Sequence, residues 1–426
     1  MNITGNGSIV DEGEPEIAIN PANPNQMFID GAMFPVPLVF NGKAPVPYTC
    51  GGMTSDNGGL SWQPAPLPQT VCEDGVAVFG PDGTLYAGGD VASSTKIVKA
   101  GTPGAIAVGG IGVLIQGFDP VFRSTNGGRT WSPPVKVMGS TNLGTFAFVR
   151  GSGHPSNAFD RPWLAVDQST NTLYAAGHNI ADHEGFITAS TNEARSFGPL
   201  YAIDSPTYPT GGFGGNIAAG HGVVALAYTA SKAPGATCPC TIFETSSDHG
   251  ATFSRHVVPL VGAAKQPSPF IAADPTAKGH YALTVLDAAG KENQVYLTTD
   301  SGRSWHGPTT VGEAPANIRF KPWISYGPSG QLALMWRTQY SNGSYDVWAA
   351  IARSTDHGNA VFSAPLRVSS VAAAYPKGYG GGDDFSFVTL DRAYVHVGWG
   401  DSRDTPVGGG TQIWYARIPF GDFPAR

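Results

Sequence analysis

One eight-residue phrase occurs six times along this chain, and it constrains the fold more than any other feature. The copies occupy residues 55–62, 124–131, 190–197, 246–253, 298–305 and 354–362. Their first residues are 69, 66, 56, 52 and 56 positions apart. A repeat with this spacing is typical of a propeller or a solenoid, in which each unit completes its core against its neighbours. The chain is therefore expected to be an array of similar units.

Each copy of the phrase has the composition of a tight turn. Ser or Thr stands first, Asp or Asn third, Gly fifth and Trp or Phe last, although the third copy has Ala194 in place of Gly and the sixth is one residue longer. The Asp or Asn side chain accepts hydrogen bonds from the backbone N–H groups that follow, and Gly supplies a positive φ. The closing ring buries apolar surface beside the turn. The phrase therefore predicts a structural hairpin turn.

A second pattern lies between these turns: an apolar run led by Pro or an acid, a short turn and another apolar run. Seven such runs begin near Glu14, Glu73, Asp160, Gly215, Pro267, Arg319 and Asp383. Short β-branched and aromatic runs bounded by turn residues predict strands. Seven inner strands predict an all-β fold, a seven-bladed β-propeller in one domain over residues 1–426, with six blades as the alternative. The segment near Ile9 is expected to add a strand to the seventh blade, which lacks the repeat, and to close the ring.

The eight-residue phrase resembles the Asp-box, or BNR, repeat of the sialidase superfamily of β-propellers. In that family the boxes are structural turns remote from the active site. Sialidases of the superfamily have six blades, whereas other Asp-box proteins, among them polysaccharide lyases and hydrolases, have seven. The resemblance implies a carbohydrate-active protein that is secreted or extracytoplasmic, and Met1 directly before a polar segment suggests that a leader has been removed.

Composition narrows the classes of partner. The net charge is −7 and no basic run is present, which argues against nucleic acid. No apolar run approaches the length needed to cross a bilayer. The 57 Gly and 35 Pro residues fit a fold with many tight turns. We expect a monomer with a carbohydrate substrate, an anionic one by the argument below.

Four cysteines are too few for a disulfide framework. Cys50 and Cys72 could pair, and Cys238 and Cys240 are either a disulfide or free thiols. A metal site at the second pair lacks a further Cys pair or His cluster to support it. No cofactor is expected, although carboxylates at the central channel could hold a structural Ca²⁺.

In an up-and-down blade the repeat turns join the third and fourth strands, so the polar face of interest is the opposite one. Three groups of residues converge there. The starts of the inner strands contribute Glu14, Glu16, Glu73, Asp74, Asp160, Arg161, Asn216, Arg319, Lys321, Asp383 and Asp384. The ends of the second strands and the loops beyond contribute Asp30, Asp90, His178, Asp182, His183, Asp287, Arg337, Tyr340, Asp401 and Arg403. The crossings between blades contribute Arg150, His154, Tyr208, Tyr375 and Tyr379. The excursion over residues 91–120 and the crossing over 133–159 are expected to form long loops on this face.

Some of these residues have a structural alternative. Inner-strand acids and arginines often form ion pairs between blades, and Asp160–Arg161 and Asp401–Arg403 are the clearest such pairs. His396 alternates within a strand and is expected to be a hydrogen-bonded core residue. Trp163, Phe270 and Trp323 recur at equivalent positions, which favours a core role over a sugar-stacking one.

Three functions remain open. The first is a glycoside hydrolase of sialidase-like type acting on an anionic glycan. The resemblance implies arginines for a carboxylate, a Tyr nucleophile with a Glu partner and an Asp acid/base. The candidate substrate-binding residues are Arg161, Arg319, Arg337, Arg403 and Asp383, and the candidate catalytic residues are Glu73, Asp74, Asp384, Tyr340 and Tyr379. The second is a polysaccharide lyase, in which His154 or His178 would abstract a proton from a uronic acid residue. The third is a non-catalytic propeller that binds a glycan or a protein.

Overall fold

The structure is a computed structural model that describes residues 1–3, 10–35, 49–68, 73–102, 106–108, 111–139, 159–179, 184–210, 215–263, 269–312, 318–374, 385–403 and 411–426. These residues form seven antiparallel sheets arranged as the blades of a propeller. The prediction of an all-β, seven-bladed fold is confirmed. In the described part of the chain, no helix is long and apolar enough to cross a membrane.

The strands follow one another in chain order. Blades one to three contain β1 (Val10–Ile19), β2 (Met27–Pro35), β3 (Thr49–Ser55), β4 (Gln63–Pro64); β5 (Glu73–Phe79), β6 (Leu85–Val98), β7 (Ile106–Val108), β8 (Ile111–Ser124), β9 (Val135–Gly139); and β10 (Phe159–Asp167), β11 (Thr172–Asn179), β12 (Gly185–Ser190), β13 (Tyr201–Ala202). Blades four and five contain β14 (Ile217–Gly220), β15 (Val223–Ala230), β16 (Cys240–Ser246), β17 (Ser254–Val257); and β18 (Phe270–Ala273), β19 (Tyr281–Leu286), β20 (Asn293–Thr298), β21 (His306–Val311). Blades six and seven contain β22 (Ile318–Tyr326), β23 (Leu332–Gln339), β24 (Ser344–Ala352), β25 (Leu366–Arg367), β26 (Ala373–Ala374); and β27 (Phe387–Leu390), β28 (Tyr394–Asp401), β29 (Gln412–Pro419). Two single turns of 3₁₀ helix occupy Asp356–Gly358 and Phe420–Asp422.

The blades close into a ring. The first strand of each blade contacts the first strand of the next, and β27 of the seventh blade contacts β1 of the first. Residues 1–3 run beside β29: Asn2 bridges Trp414, and the Ile3 N–H donates to the Ile413 carbonyl at 3.0 Å. An N-terminal segment therefore does cover the edge of the seventh blade, as predicted, although the described pairing is at residues 1–3 and Ile9 lies outside the described residues.

The repeats form the hairpin turns between third and fourth strands. In the first five copies the hydroxyl of the leading Ser or Thr accepts the N–H of the fifth residue at 2.8–3.0 Å. The third-position Asn or Asp accepts the N–H of the seventh residue at 2.9–3.0 Å. The turn's own side chains thus satisfy two of its backbone donors. The sixth copy, one residue longer, forms a 3₁₀ turn instead.

The fifth residue of the repeat also fixes each blade to the one before it. At Gly128 (φ +88°) an added Cβ would lie 2.7 Å from Cε2 of Phe28 in the first blade. At Gly250 (φ +93°) it would lie 2.6 Å from Cγ2 of Ile187 in the third blade. The glycine therefore supplies both a left-handed conformation and room for close packing between blades.

One expectation about the loops is wrong. Residues 91–120 were expected to form a long loop, but β6 and β8 continue past the blade as a paired hairpin, from Val91 opposite Phe118 to Val98 opposite Gly112. The β-branched residues of this stretch favour strand pairing, which satisfies backbone groups that a loop would expose.

The Cys238–Cys240 pair is a disulfide, carried by the hairpin that joins β15 to β16. A Cys50–Cys72 bond stays a prediction, because Cys72 lies outside the described residues.

Candidate functional site: an axial cavity

A cavity with an empty volume of ≈ 290 Å³, including the open solvent at its mouth, lies where the first strands of five blades begin. Each third strand runs parallel to the first and ends in a repeat turn, so the beginnings of the first strands are on the opposite face. Three carboxyl side chains line the cavity, Glu14, Glu16 and Asp74, together with four aromatic ones, Trp163, Trp323, Phe385 and Phe387. The predicted face therefore does hold a cavity with acidic groups.

A β-bulge shapes the start of the first strand in four blades. The register shifts between Gly13 and Glu16, between Glu73 and Val76, between Asp160 and Trp163, and between Phe320 and Trp323. Each bulge contains a charged residue followed by Pro or Gly: Glu14, Asp74, Arg161 and Lys321. Three of them, Glu14, Asp74 and Lys321, have positive φ values of 54°, 46° and 52°. Strained non-glycine residues in bulges are common where a side chain is redirected towards a functional site.

The first residue after the bulge in the first blade is Glu16, which is only 7% exposed. It stands opposite Asp30 of β2, which is completely buried. Directly opposed residues in an antiparallel pair have their Cβ atoms about 4.5–5.5 Å apart. Oδ1 of Asp30 accepts the Gly31 N–H at 2.9 Å. Among the residues that the structure describes, Oε2 of Glu16 and Oδ2 of Asp30 have no hydrogen-bond partner.

Burial favours the protonated form of both carboxyl groups. The pKa of Glu16 is raised well above its usual value, first by desolvation and then by the charge of Asp30, while a hydrogen bond from the Ala77 backbone opposes the rise. The pKa of Asp30 is also well raised by desolvation, with the Gly31 N–H opposing it. Two acids this close and this buried cannot both be ionised at low cost, so their surroundings favour a state in which the pair carries a proton.

Aromatic rings from four blades pack together beside these acids. The ring centroids of Trp163 and Trp323 are 5.5 Å apart, and that of Phe385 lies 5.2 Å from Trp163. Phe270 lies 4.7 Å from Trp323 on the other side. Trp163, Phe270 and Trp323 are 4–6% exposed. They belong to the core, as expected, and two of them also form part of the cavity wall.

Among the predicted catalytic residues that the structure describes, Asp74 is the one that it brings into this cavity. Glu73 lies next to it in β5, where its backbone stands opposite Asp90. Arg161 holds the bulge position of β10, and Arg319 lies in β22 opposite Thr338. Glu73, Arg161 and Arg319 are therefore at or next to the bulges, and their roles stay predictions.

The other described candidates do not line the axial cavity. Tyr340, in the turn between β23 and β24, donates its hydroxyl to Oδ2 of Asp346 at 2.8 Å. His178 is buried near the end of β11, opposite Gly185 of β12. Arg337 is 1% exposed, and its Nε donates to Oγ of Ser386 at 2.7 Å.

Arg403 forms the ion pair that the sequence suggested. Its Nε and Nη2 donate to the two carboxylate oxygens of Asp401 at 2.9 and 2.6 Å, and its guanidinium lies 4.0 Å from the Trp414 ring. Substrate binding by Arg403 stays a prediction, as do the roles of His154, Tyr379, Asp383 and Asp384, which lie outside the described residues.

Two larger cavities lie on the face of the repeat turns. One, of ≈ 610 Å³, lies beside the third and fourth turns and is lined by Asn192, Asp248 and Tyr201. The other, of ≈ 1020 Å³, lies beside the sixth turn and the C-terminal residues. Asn192 and Asp248 already bond to the N–H groups of Ser196 and Thr252 within their turns. These polar groups maintain the turns, which leaves the axial cavity as the better candidate for chemistry.

Sequence reasoning placed Glu16 and Asp30 on the correct face but did not select them. The signal was available in a comparison of blades, because Glu16 holds the position that is Val76, Trp163 and Trp323 elsewhere. In the described part of the chain, no group of three or more His, Cys, Asp or Glu residues could hold a metal ion. A structural Ca²⁺ stays a prediction.

No protein-family model matches the sequence, and no curated protein matches it. The fold is similar to solved structures. A protein of unknown function from Dyadobacter fermentans DSM 18053 has a TM-score of 0.51 and 14% identity over 97% of this chain and 95% of that one. The lectin BP39L from Burkholderia pseudomallei has a TM-score of 0.51 and 12% identity over 83% of each chain. The Hadza microbial sialidase Hz136 has a TM-score of 0.47 and 16% identity over 88% of this chain and 74% of that one. At these identities the similarity shows the propeller fold alone.

Proposed function

We propose that this propeller is a carbohydrate-active enzyme, a glycoside hydrolase whose active site is the axial cavity. The observation that carries the proposal is the presence of carboxyl groups in two environments within one cavity. Glu16 is buried with a raised pKa, whereas Glu14 and Asp74 are half-buried on the bulges beside it. Glycosidic hydrolysis uses one protonated and one ionised carboxyl group.

The aromatic wall supports a saccharide as the substrate. Sugar rings present flat apolar faces edged with hydroxyl groups, and Trp163 and Phe385 offer ring surface next to the carboxylates. Arg161 and Lys321 hold the bulge positions that correspond to Glu14 and Asp74 in the other blades. Because Arg and Lys are cationic, these positions support an anionic sugar of the sialidase-like kind as the substrate. In this proposal the protein acts outside the cytoplasm, as the Asp-box resemblance implies.

A lyase is the weaker candidate. Proton abstraction from a uronic acid residue requires a His or Tyr at the substrate, and the described lining of the axial cavity contains neither. A propeller that only binds a ligand is also a weaker candidate. Glu16 and Asp30 are buried, and one oxygen of each has no described partner, which destabilises the fold. A protein without catalytic chemistry would gain nothing from this cost.

A substrate screen tests the proposal. The purified chain is incubated with acidic and neutral polysaccharides and with chromogenic glycosides, and new reducing ends and ultraviolet-absorbing unsaturated products are measured in parallel. New reducing ends without ultraviolet absorbance are expected. Asp74→Asn should abolish them, and Asp356→Asn, an exposed acid in the cavity beside the sixth repeat, should not.

Each other result has a distinct meaning. Unsaturated products would replace the hydrolase with a lyase. Glycan binding without turnover would replace it with a lectin. Equal loss of activity in both variants would move the site away from the axial cavity.

A further inference from the structure

We infer that Glu16 is the proton donor of the axial cavity and that Asp30, directly behind it, is a positioning residue that shares and retains its proton. The donor role rests on the proposed function. The sharing of the proton does not, and it can be measured on the protein alone.

The comparison of blades is the first support. The four bulged blades have the same one-residue register shift, so their positions correspond one to one. Glu16, Val76, Trp163 and Trp323 follow the bulges, opposite Asp30, Gly88, Ala176 and Met335. Both members of this cross-strand pair are acidic in the first blade, and both are apolar or glycine in the other three. The fold itself therefore does not require acids at these two positions.

The second blade is adapted to Asp30. The residue before the pair is Pro15, Pro162 or Pro322 in three of the bulged blades and Gly75 in the second. A Cβ at Gly75 would lie 2.9 Å from both Cγ and Oδ1 of Asp30 and 3.0 Å from the Gly31 nitrogen. Gly75 thus provides the space that the Asp30 carboxyl group occupies at the interface between the two blades.

Among the residues that the structure describes, few other charged groups surround the pair. From β1 the titratable neighbour at the cavity is Glu14, and from β5 it is Asp74. The other contributors to the cavity wall near the pair, Phe385 and Phe387, carry no charge. The electrostatic influence acting on Glu16 comes from Asp30. With burial and a second acid both favouring the neutral form, Glu16 retains a proton that it can donate towards the cavity.

The proposed step is balanced by water. The proton passes from the Glu16 carboxyl group to the glycosidic oxygen while the bond from that oxygen to the anomeric carbon breaks. Water supplies the hydroxyl group that the anomeric carbon gains, and the remaining proton of that water passes to a second carboxyl side chain of the cavity, Glu14 or Asp74, acting as the base. Exchange with solvent then restores both groups.

The first experiment needs no substrate. We record infrared difference spectra at pH 7 and over a pH series, between the wild-type chain and Glu16→Gln and between the wild type and Asp30→Asn. A C=O band of a protonated carboxyl group should be lost in Glu16→Gln. In Asp30→Asn the remaining Glu16 band should disappear at a lower pH than in the wild type, since the neighbouring negative charge is gone. If neither difference spectrum contains a protonated-carboxyl band, the pair holds no shared proton and the inference is wrong.

The second experiment uses the best saccharide from the screen. Glu16→Gln should lower kcat/KM by at least about 100-fold, the usual effect of losing a general acid. Asp30→Asn should move the alkaline limb of the pH profile down by about one pH unit, because coupled acids raise one another's pKa. A merely structural role of Asp30 would leave that limb in place. Glu244→Gln is the matched control. Glu244 is a fully buried acid in β16 with a raised pKa, and it does not line the cavity.

The two proposals can fail separately. If a saccharide is hydrolysed and Glu16→Gln retains wild-type activity, the donor assignment is wrong while the proposed function holds. If no saccharide is turned over, the proposed function and the donor role fail together, and the infrared band still decides whether the pair shares a proton. If circular dichroism shows that Glu16→Gln or Asp30→Asn is misfolded, the result from the other variant tests the inference.

Discussion

Replacing Gly128 with Ala should destabilise the contact between the first and second blades. Gly128 has φ +88°, and an added methyl group would lie 2.7 Å from Cε2 of Phe28, 2.9 Å from its Cδ2 and 3.3 Å from Cζ2 of Trp131. The left-handed conformation costs an L-residue about 1–2 kcal/mol. Overpacking against two rings costs about 1–3 kcal/mol, and burying the methyl group returns about 0.8 kcal/mol. The expected loss is therefore about 1–4 kcal/mol.

Thermal unfolding followed by circular dichroism measures this loss. An unfolding entropy of about 2.1 cal/mol/K per residue gives about 0.9 kcal/mol/K for 426 residues. Gly128→Ala should therefore lower Tm by about 3 °C.

The third repeat provides the matched control. Ala194 already occupies the corresponding position with φ 56° and is 4% exposed. Ala194→Gly removes about 0.8 kcal/mol of methyl burial and relieves about 1 kcal/mol of strain, so its Tm should stay within about 1 °C of the wild type. The packing argument is refuted if Gly128→Ala melts within 1 °C of the wild type, or if Ala194→Gly loses as much.

Three further predictions concern single side chains. Arg337→Ala should cost about 2–4 kcal/mol in urea denaturation, because Arg337 is 1% exposed and its partner Ser386 would be left buried without its donor; an unchanged midpoint would contradict this. Trp305→Ala should cost about 3 kcal/mol, since Trp305 packs edge-on against Phe243 at 5.1 Å, and should leave turnover unchanged because it lies on the face of the repeat turns; loss of activity without loss of stability would count against the choice of face. Burial raises the pKa of Glu244 from 4.5 to about 8, so the stability that its protonated form contributes is full below pH 4.5 and is lost as pH rises through 8. The unfolding free energy of Glu244→Gln should therefore gain about 3 kcal/mol relative to that of the wild type between pH 4.5 and 7. Parallel stability–pH curves for the two proteins would refute this prediction.

The fold was predictable because its signals are local. Each repeat turn satisfies its own backbone through residues within four positions of one another, as between Ser55 and Gly59, so composition and spacing were enough to identify it. His396 was likewise predictable, since its alternation in β28 places it in the core, where it contacts Asp391 and Tyr415. The number of blades followed from counting such signals.

The chemistry of the site was less predictable because it depends on pairs of residues distant in sequence. Glu14 and Glu16 are two positions apart, and the sequence does not distinguish them. The bulge leaves Glu14 half-buried and places Glu16 opposite Asp30. The space for Asp30 comes from Gly75 in another blade. The hairpin extension of β6 and β8 was missed for a different reason: glycines suggested a loop, but the runs on either side of them pair with each other.

The interlocking of each repeat turn with the preceding blade has a consequence for how this architecture can diversify. Since cohesion between blades is provided at the turns, as at Gly128 and Gly250, segments at the other end can lengthen, shorten or change sequence without loosening the assembly. The extended hairpin of the second blade is one such addition. A propeller of this kind can acquire new specificities through insertions at the end opposite the repeat turns, while the contacts between its blades stay unchanged.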